Sequence, residues 1–513
     1  MPDTDVRRSG ILAHPTSLPG RFGVGDLGPG AYRFVDWIAD AGQRLWQVLP
    51  LSVPDKENSP YGSLSVFAGN PLLISPELLV VDGLLTKDEL TVVPATTKGE
   101  QTVDFPAVLS WKRSLLEVAA KRFFRLPGSH PLRQAMNEVE QASADWLNDH
   151  ALFMAIREAN DKRPWREWDR FVDADLRPTS DAMTTLANRV EVFKFLQFLF
   201  VKQWSALRNH ASSRGIRIIG DVPIYVSEES VDVWAHRELF QLDESGVPTC
   251  VAGVPPDYFS ADGQLWNNPV YDWEVHRQTG YRWWIERVCN VLETVDLVRL
   301  DHFRGYESYW CVPAGEETAV NGHWVDGPRD EFFDAIRHGI ADASHPNSNG
   351  APLPFVAEDL GLITNEVTAL RKRFELPGTV VMQFNLEDLS NFDPLDIDPR
   401  SVAYTGTHDN DTSVGWFTAK TTESQAFLEH FRRFTPGNPN DIAWELIELT
   451  WRSPARMAIA PLQDVLSLGT DARMNVPGTD ITQRTNWAWR CPGKLLTDDI
   501  QKRLMDVTRR HNR

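Results

Sequence analysis

Four segments of this 513-residue chain place carboxylates and cations at the ends of short apolar runs. They read Gly220-Asp221-Val-Pro-Ile-Tyr225, Val298-Arg299-Leu300-Asp301-His302, Val356-Ala357-Glu358-Asp359 and Thr405-Gly-Thr407-His408-Asp409-Asn410. Three of the carboxylates, Asp301, Glu358 and Asp409, suit the cleavage of a glycosidic bond. That reaction needs one carboxylate to attack or to activate water, and a second to protonate the departing oxygen. The two environments must push the pKa values apart. Arg299 lies two residues before Asp301, so on a strand both side chains face the same side. Its guanidinium would keep Asp301 ionised and fit to be the nucleophile. Glu358 is then the acid, its pKa raised by its carboxylate neighbours. A single Arg-x-Asp would read as a structural ion pair. Four polar strand ends in chain order read instead as groups converging on one mouth. His408, directly before Asp409, is placed to contact a sugar hydroxyl.

Side chains from distant segments converge only if the fold brings the strand ends together. Eight apolar runs have strand character: Gly10–His14, Leu45–Leu51, Ile216–Ile224, Val295–Asp301, Phe355–Glu358, Thr379–Phe384, Val402–Thr407 and Met457–Pro461. Most are followed by helix-like segments, and eight such units predict a (β/α)8 barrel spanning residues 1–513 as one catalytic unit. The spacing is uneven. The stretch Leu73 to Asn188 is mainly helical in pattern and too long for a loop, so it is expected to be a helical subdomain mounted on the barrel. A second insert, Leu239 to Trp273, is rich in Gly, Pro and aromatics and follows the third strand. Gly23-Val-Gly25-Asp-Leu-Gly28 matches a dinucleotide-binding pattern, but Pro19-Gly20 stands where that motif needs a strand, so a turn entering a helix is expected there.

The net charge of -19, from 52 basic and 71 acidic residues, argues against nucleic acid and anionic membrane as partners. A neutral ligand fits better, and the 19 tryptophans include candidates for stacking on sugars. Cys250, Cys289, Cys311 and Cys491 form no C-x-x-C pair, which argues against a zinc or redox site and for a reducing compartment. The start of the chain lacks an apolar signal core and no stretch is long and apolar enough to span a bilayer, so a cytoplasmic protein is expected. No metal or cofactor is expected. Oligomeric state has no signature here.

The chain resembles the 4-α-glucanotransferases called amylomaltases or disproportionating enzymes, relatives of the α-amylases, over essentially its whole length. The resemblance runs through His14-Pro-Thr-Ser-Leu-Pro-Gly, Ser59-Pro-Tyr61, Phe67-Ala-Gly-Asn70-Pro71, Gly220-Asp-Val-Pro-Ile-Tyr and Gly253-Val-Pro-Pro-Asp-Tyr-Phe259-Ser. It continues with Gly263-Gln-Leu-Trp266, Arg299-Leu-Asp-His-Phe-Arg-Gly, Ala357-Glu-Asp-Leu-Gly, Thr407-His-Asp-Asn and Arg473-Met-Asn-Val-Pro-Gly478. It implies that Asp301 is the nucleophile, Glu358 the acid/base and Asp409 the carboxylate that stabilises the transition state. It further implies that Asp221, Arg299 and His408 hold the glucose unit in transfer, and that Ser59, Tyr61 and Asn475 touch substrate. Tyr258, Phe259 and Trp266 match an aromatic loop arching over the cleft. The implied substrates are maltooligosaccharides, amylose or glycogen-derived glucans. Two departures stand out: Asn267-Asn268-Pro269 replaces the family's Gly-Asn-Pro, and the segment 479–485 is longer than the compact form. Asn tolerates the left-handed backbone that Gly would supply. The rivals to transfer are a hydrolase using the same carboxylates and an inactive glucan-binding barrel.

Overall fold

The computed structural model describes residues 6–94, 99–256, 261–343, 352–390, 393, 395–479, 482–483 and 485–513. Eight short, buried strands form its centre: β1 (Arg8–Leu12), β2 (Leu45–Gln47), β3 (Arg217–Val222), β4 (Leu297–Leu300), β5 (Phe355–Ala357), β6 (Thr379–Val381), β7 (Val402–Tyr404) and β8 (Met457–Pro461). Each falls within one of the eight runs read from the sequence, apart from the first residues of β1. They are nearly continuous in apolar character, as strands covered on both faces must be. All neighbours pair in parallel, in the order β5-β4-β3-β2-β1-β8-β7-β6. The outer strands meet through the Ala357 amide, which donates to the Pro377 carbonyl at 2.8 Å, and the Thr379 hydroxyl, which donates to Ala357 O at 3.0 Å. The sheet is thus a (β/α)8 barrel, whose C-terminal strand ends share one mouth.

Between β2 and β3 lie the helices Phe105–Phe123, Pro131–Ala142, Ala144–Ala159, Ser180–Thr185 and Ala187–Ser213. Phe123 on the first of these helices packs against Phe195 and Phe198 on the last, with centroids 4.5 and 5.8 Å away. The last helix, 27 residues long, runs on past Asn188 to deliver the chain to β3. Two glycines of the early decoy have no room for a side chain. A Cβ on Gly25 would lie 2.1 Å from Pro15 O, and one on Gly28 2.2 Å from Ser75 Oγ. Gly28 leads into the helix Pro29–Asp40, as the sequence reading expected.

A second sheet of four antiparallel strands stands at the mouth, in the order His323–Asp326, Ser308–Pro313, Cys250–Val254, Gln264–Pro269. Only half of it comes from the 239–273 segment; the other half follows β4 directly. Cys250 and Cys311, on adjacent strands with Cα atoms 5.9 Å apart, are joined as a disulfide. The partners are 61 residues apart, so local cysteine spacing carries no sign of the pairing. Cys289 and Cys491 are free. Among the described residues, no helix is long and apolar enough to cross a membrane.

Candidate active site

Asp221, the fifth residue of β3, is buried, with 5% of its surface exposed. Both of its carboxylate oxygens accept from Arg299 Nη1, at 2.9 and 2.8 Å, and Oδ2 also accepts from the Tyr61 hydroxyl at 2.9 Å. Burial raises its pKa, against the pull of the guanidinium. Arg299 sits on β4 in register with Asp221. The same Nη1 reaches forward to Asp301 Oδ1 at 2.8 Å. Asp301 follows the last residue of β4, its amide donating to Val222 O at 3.0 Å, and its side chain remains 28% exposed to the cleft. A carboxylate that is paired with a cation yet open to the cleft can attack an electrophile.

Glu358 follows β5 and is held quite differently. Its Oε2 accepts from the His302 amide at 2.8 Å and its Oε1 from the Leu360 amide at 3.0 Å. Desolvation in the mouth raises its carboxyl to about 7, with the charge of Asp301 adding to the effect and Arg299 and the two amides opposing it. The sequence reading assigned this rise to carboxylate neighbours; burial is the larger cause. Such a group carries its proton near neutrality and can deliver it. His302 adopts the left-handed backbone at φ 51°, which turns its amide towards Glu358. This link from the residue after Asp301 to the carboxyl of Glu358 was missed in the sequence. A non-glycine residue forced into αL is visible only in the backbone.

His408 is buried, with its ring stacked on Tyr61 at 5.1 Å and 18°, and Trp487 tilts against both rings at 5.8 and 5.7 Å. Burial lowers its pKa, and the nearby His14 is held down at about 3. Both imidazoles are therefore neutral at pH 7. Asp409 is clamped. Asn475 Nδ2 donates to its Oδ1 at 2.7 Å, Arg473 Nη2 donates to its carbonyl at 2.6 Å, and Arg473 Nε donates to Asn475 O at 2.8 Å. His408 Nε2 lies 3.3 Å from the other oxygen, Oδ2. Asn475, read as a substrate contact, is thus also a support for Asp409. Trp487 and Arg473 were not singled out, although Arg473 opens the motif that contains Asn475.

Ser59 does not reach the carboxylates. Its hydroxyl accepts from the Tyr61 amide at 3.2 Å, and its own amide donates to Asp55 Oδ1 at 3.3 Å, so it shapes the turn that presents Tyr61. Trp266 meets His302 edge-on at 4.8 Å, at the rim of the site. Asn267 takes the left-handed backbone at φ 59°, as its chemistry allows. Tyr258 and Phe259 lie outside the described residues. So do positions 480, 481 and 484 of the longer segment, whose base is closed by Asn486 Oδ1 accepting from Val476 N at 3.1 Å.

A family model described as 4-alpha-glucanotransferase matches residues 13–497. The 4-alpha-glucanotransferase of Synechocystis sp. is 45% identical over 99% of this chain and 98% of its own length. That of Thermus thermophilus is 44% identical over 95% and 96%. The solved amylomaltase from Streptococcus agalactiae, in complex with acarbose, superposes with a TM-score of 0.90 at 34% identity, covering 99% of both chains.

Proposed function

The chain belongs to the 4-alpha-glucanotransferase family, and from that premise we propose that it moves α-1,4-glucan segments by double displacement with retention of configuration. Asp301 attacks the anomeric carbon while Glu358 protonates the departing glycosyl oxygen, which leaves a glycosyl ester on Asp301. Glu358, now a base, takes the proton from the 4-hydroxyl of a glucose or maltooligosaccharide acceptor. Asp409 faces the positive charge that develops on the sugar ring. Arg299 and His408 border the glucose unit in transfer, with Asp221 holding Arg299 and Tyr61 from behind, while Tyr61, placed by Ser59, and Asn475 complete its surroundings. No metal or cofactor enters these steps.

The observation that carries the reading is the contrast between two carboxyls on adjacent strand ends. Asp301 is ion-paired with Arg299, whereas Glu358 is raised to about 7 and bracketed by two amides. An acid and a nucleophile need that separation. The ester would sit among ~55 M water, so transfer requires that an acceptor be held in line and water kept out. The segment 239–273 is the proposed cover, with Trp266 and, beyond the described residues, Tyr258 and Phe259 stacking on acceptor sugars. Residues 73–188 are proposed as a helical subdomain of one catalytic unit. The expected donors are maltooligosaccharides, amylose or glycogen-derived glucans, and the expected setting is the cytoplasm. Incubation with maltotriose tests this: glucose and a ladder of longer products support transfer. Steady growth of reducing ends, with no product longer than the donor, would mean that water takes the ester.

A further inference from the structure

The four-stranded sheet at the mouth has two edges. At one, Trp266 leans on His302. At the other, the strand His323–Asp326 carries Trp324, which is 37% exposed. This ring is not a loose surface residue. The Arg304 guanidinium carbon lies 3.7 Å from its centroid and covers one face. Arg304 is itself buried, at 6% exposure, and its Nη1 donates to the Leu362 carbonyl. Trp310, directly opposite on the neighbouring strand, braces the indole at 5.2 Å and 68°. Trp310 in turn donates to Ala319 O at 2.8 Å, and a Cβ on Gly322 would come within 2.2 Å of its Nε1. The supporting groups are buried or half-buried and locked, while the large apolar ring that they support faces water.

Position says what would cover it. Arg304 lies three residues beyond Asp301, and Leu362, whose carbonyl holds it, lies four beyond Glu358. The platform therefore stands on the two segments that leave the catalytic strand ends, yet none of its ring contacts is to a catalytic carboxylate. This rim is one exit for a linear glucan longer than the cleft. A pyranose offers a flat apolar C–H face to an indole while its hydroxyls stay hydrated. Accordingly, we infer that Trp324, backed by Arg304, is a stacking platform for one glucose unit of a long α-1,4-glucan, away from the bond being exchanged. The inference rests on the transferase reading and adds a site that selects for chain length.

The test compares maltotriose with amylose as donors for wild type, Trp324→Gln and Trp324→Phe. Trp324→Gln should raise KM for amylose about five- to tenfold, as loss of one stacked ring would, with kcat held within about twofold. Its kinetics on maltotriose should match wild type, and Trp324→Phe should keep most of the amylose affinity. In gels containing amylose, Asp301→Asn protein should be retarded, and adding Trp324→Gln should relieve the retardation. Equal losses on both donors would overturn the proposal, as would an unchanged KM for amylose in both variants. If Trp324→Gln does not fold, Trp324→Leu decides: it keeps an apolar side chain for packing but offers no flat ring, so KM should rise for amylose alone, and equal losses on both donors would overturn the proposal. Failure of wild type to lengthen maltotriose, with amylose retardation still dependent on Trp324, would instead sink the transferase reading.

Discussion

Arg299 Nη1 lies 2.8 Å from Asp221 Oδ2 and 2.8 Å from Asp301 Oδ1, so one nitrogen is shared between a buried carboxylate and the nucleophile beside it. The arrangement follows from register. Asp221 and Arg299 are partners across β3 and β4, and Asp301 is two residues further along the same face.

Removing that cation strands Asp221, whose side chain has no exposed surface. Arg299→Met should destabilise the fold by about 3–5 kcal/mol at neutral pH, read as a lower urea midpoint. Adding Asp221→Asn removes the uncompensated carboxyl, which burial already raises to about 7 and which must otherwise take up a proton, and should recover part of the loss. Activity should stay low in both variants, because the cation beside Asp301 is still missing. If the double variant is no more stable than Arg299→Met, burial of Asp221 is not what the guanidinium offsets.

The clamp on Asp409 makes a separate expectation. Asn475→Ala removes the 2.7 Å donor to Oδ1 but leaves the Arg473 contact to the main chain. The carboxylate then keeps only His408, 3.3 Å from Oδ2, to hold it towards the developing charge. Turnover should fall about 100-fold, with KM little changed, as for loss of one preorganised electrostatic contact. A larger change in KM than in kcat would make Asn475 a binding residue alone.

Acid–base behaviour follows from Glu358. Its carboxyl stands at about 7, above the ordinary 4.5, so it is protonated below pH 7 and loses its proton as pH rises through that value. Because the first step needs the protonated form, kcat/KM on maltotriose should decline above about pH 7. With an activated fluoride donor, which needs no leaving-group proton, Glu358→Gln should form the ester with that alkaline decline absent. Stability has the same sign. The folded state binds the extra proton between pH 4.5 and about 7, so the contribution of Glu358 is full below that window and is lost as pH rises through it. Relative to wild type, Glu358→Gln should therefore gain thermal stability across the window.

The barrel was legible because its strands are short, mainly apolar runs separated by helical pattern. β5 and β6, only three residues each, were found through Ala357-Glu358 and the Thr379 run. The carboxylates were legible because they terminate such strands. What escaped the sequence depends on contacts between distant segments or on backbone shape. The strands Ser308–Pro313 and His323–Asp326 join a sheet begun at Cys250, and the disulfide depends on that pairing. His302 is an ordinary histidine until its φ of 51° aims its amide at Glu358. Asn475 was placed near substrate by its motif, but its hold on Asp409 needs the turn Met474–Val476 to lie against β7's exit, where Asn475 N donates to His408 O at 3.1 Å.

The central claim is that Asp301 carries the glycosyl group and that Glu358 moves the proton. A single trapping measurement tests it most directly: Glu358→Gln incubated with an activated α-glycosyl fluoride, digested and read by mass spectrometry. The account predicts one added glycosyl mass on the peptide containing Asp301, absent from Asp301→Asn/Glu358→Gln. A label on Asp409, Asp221 or any other residue, or none under conditions where fluoride is released, would contradict it.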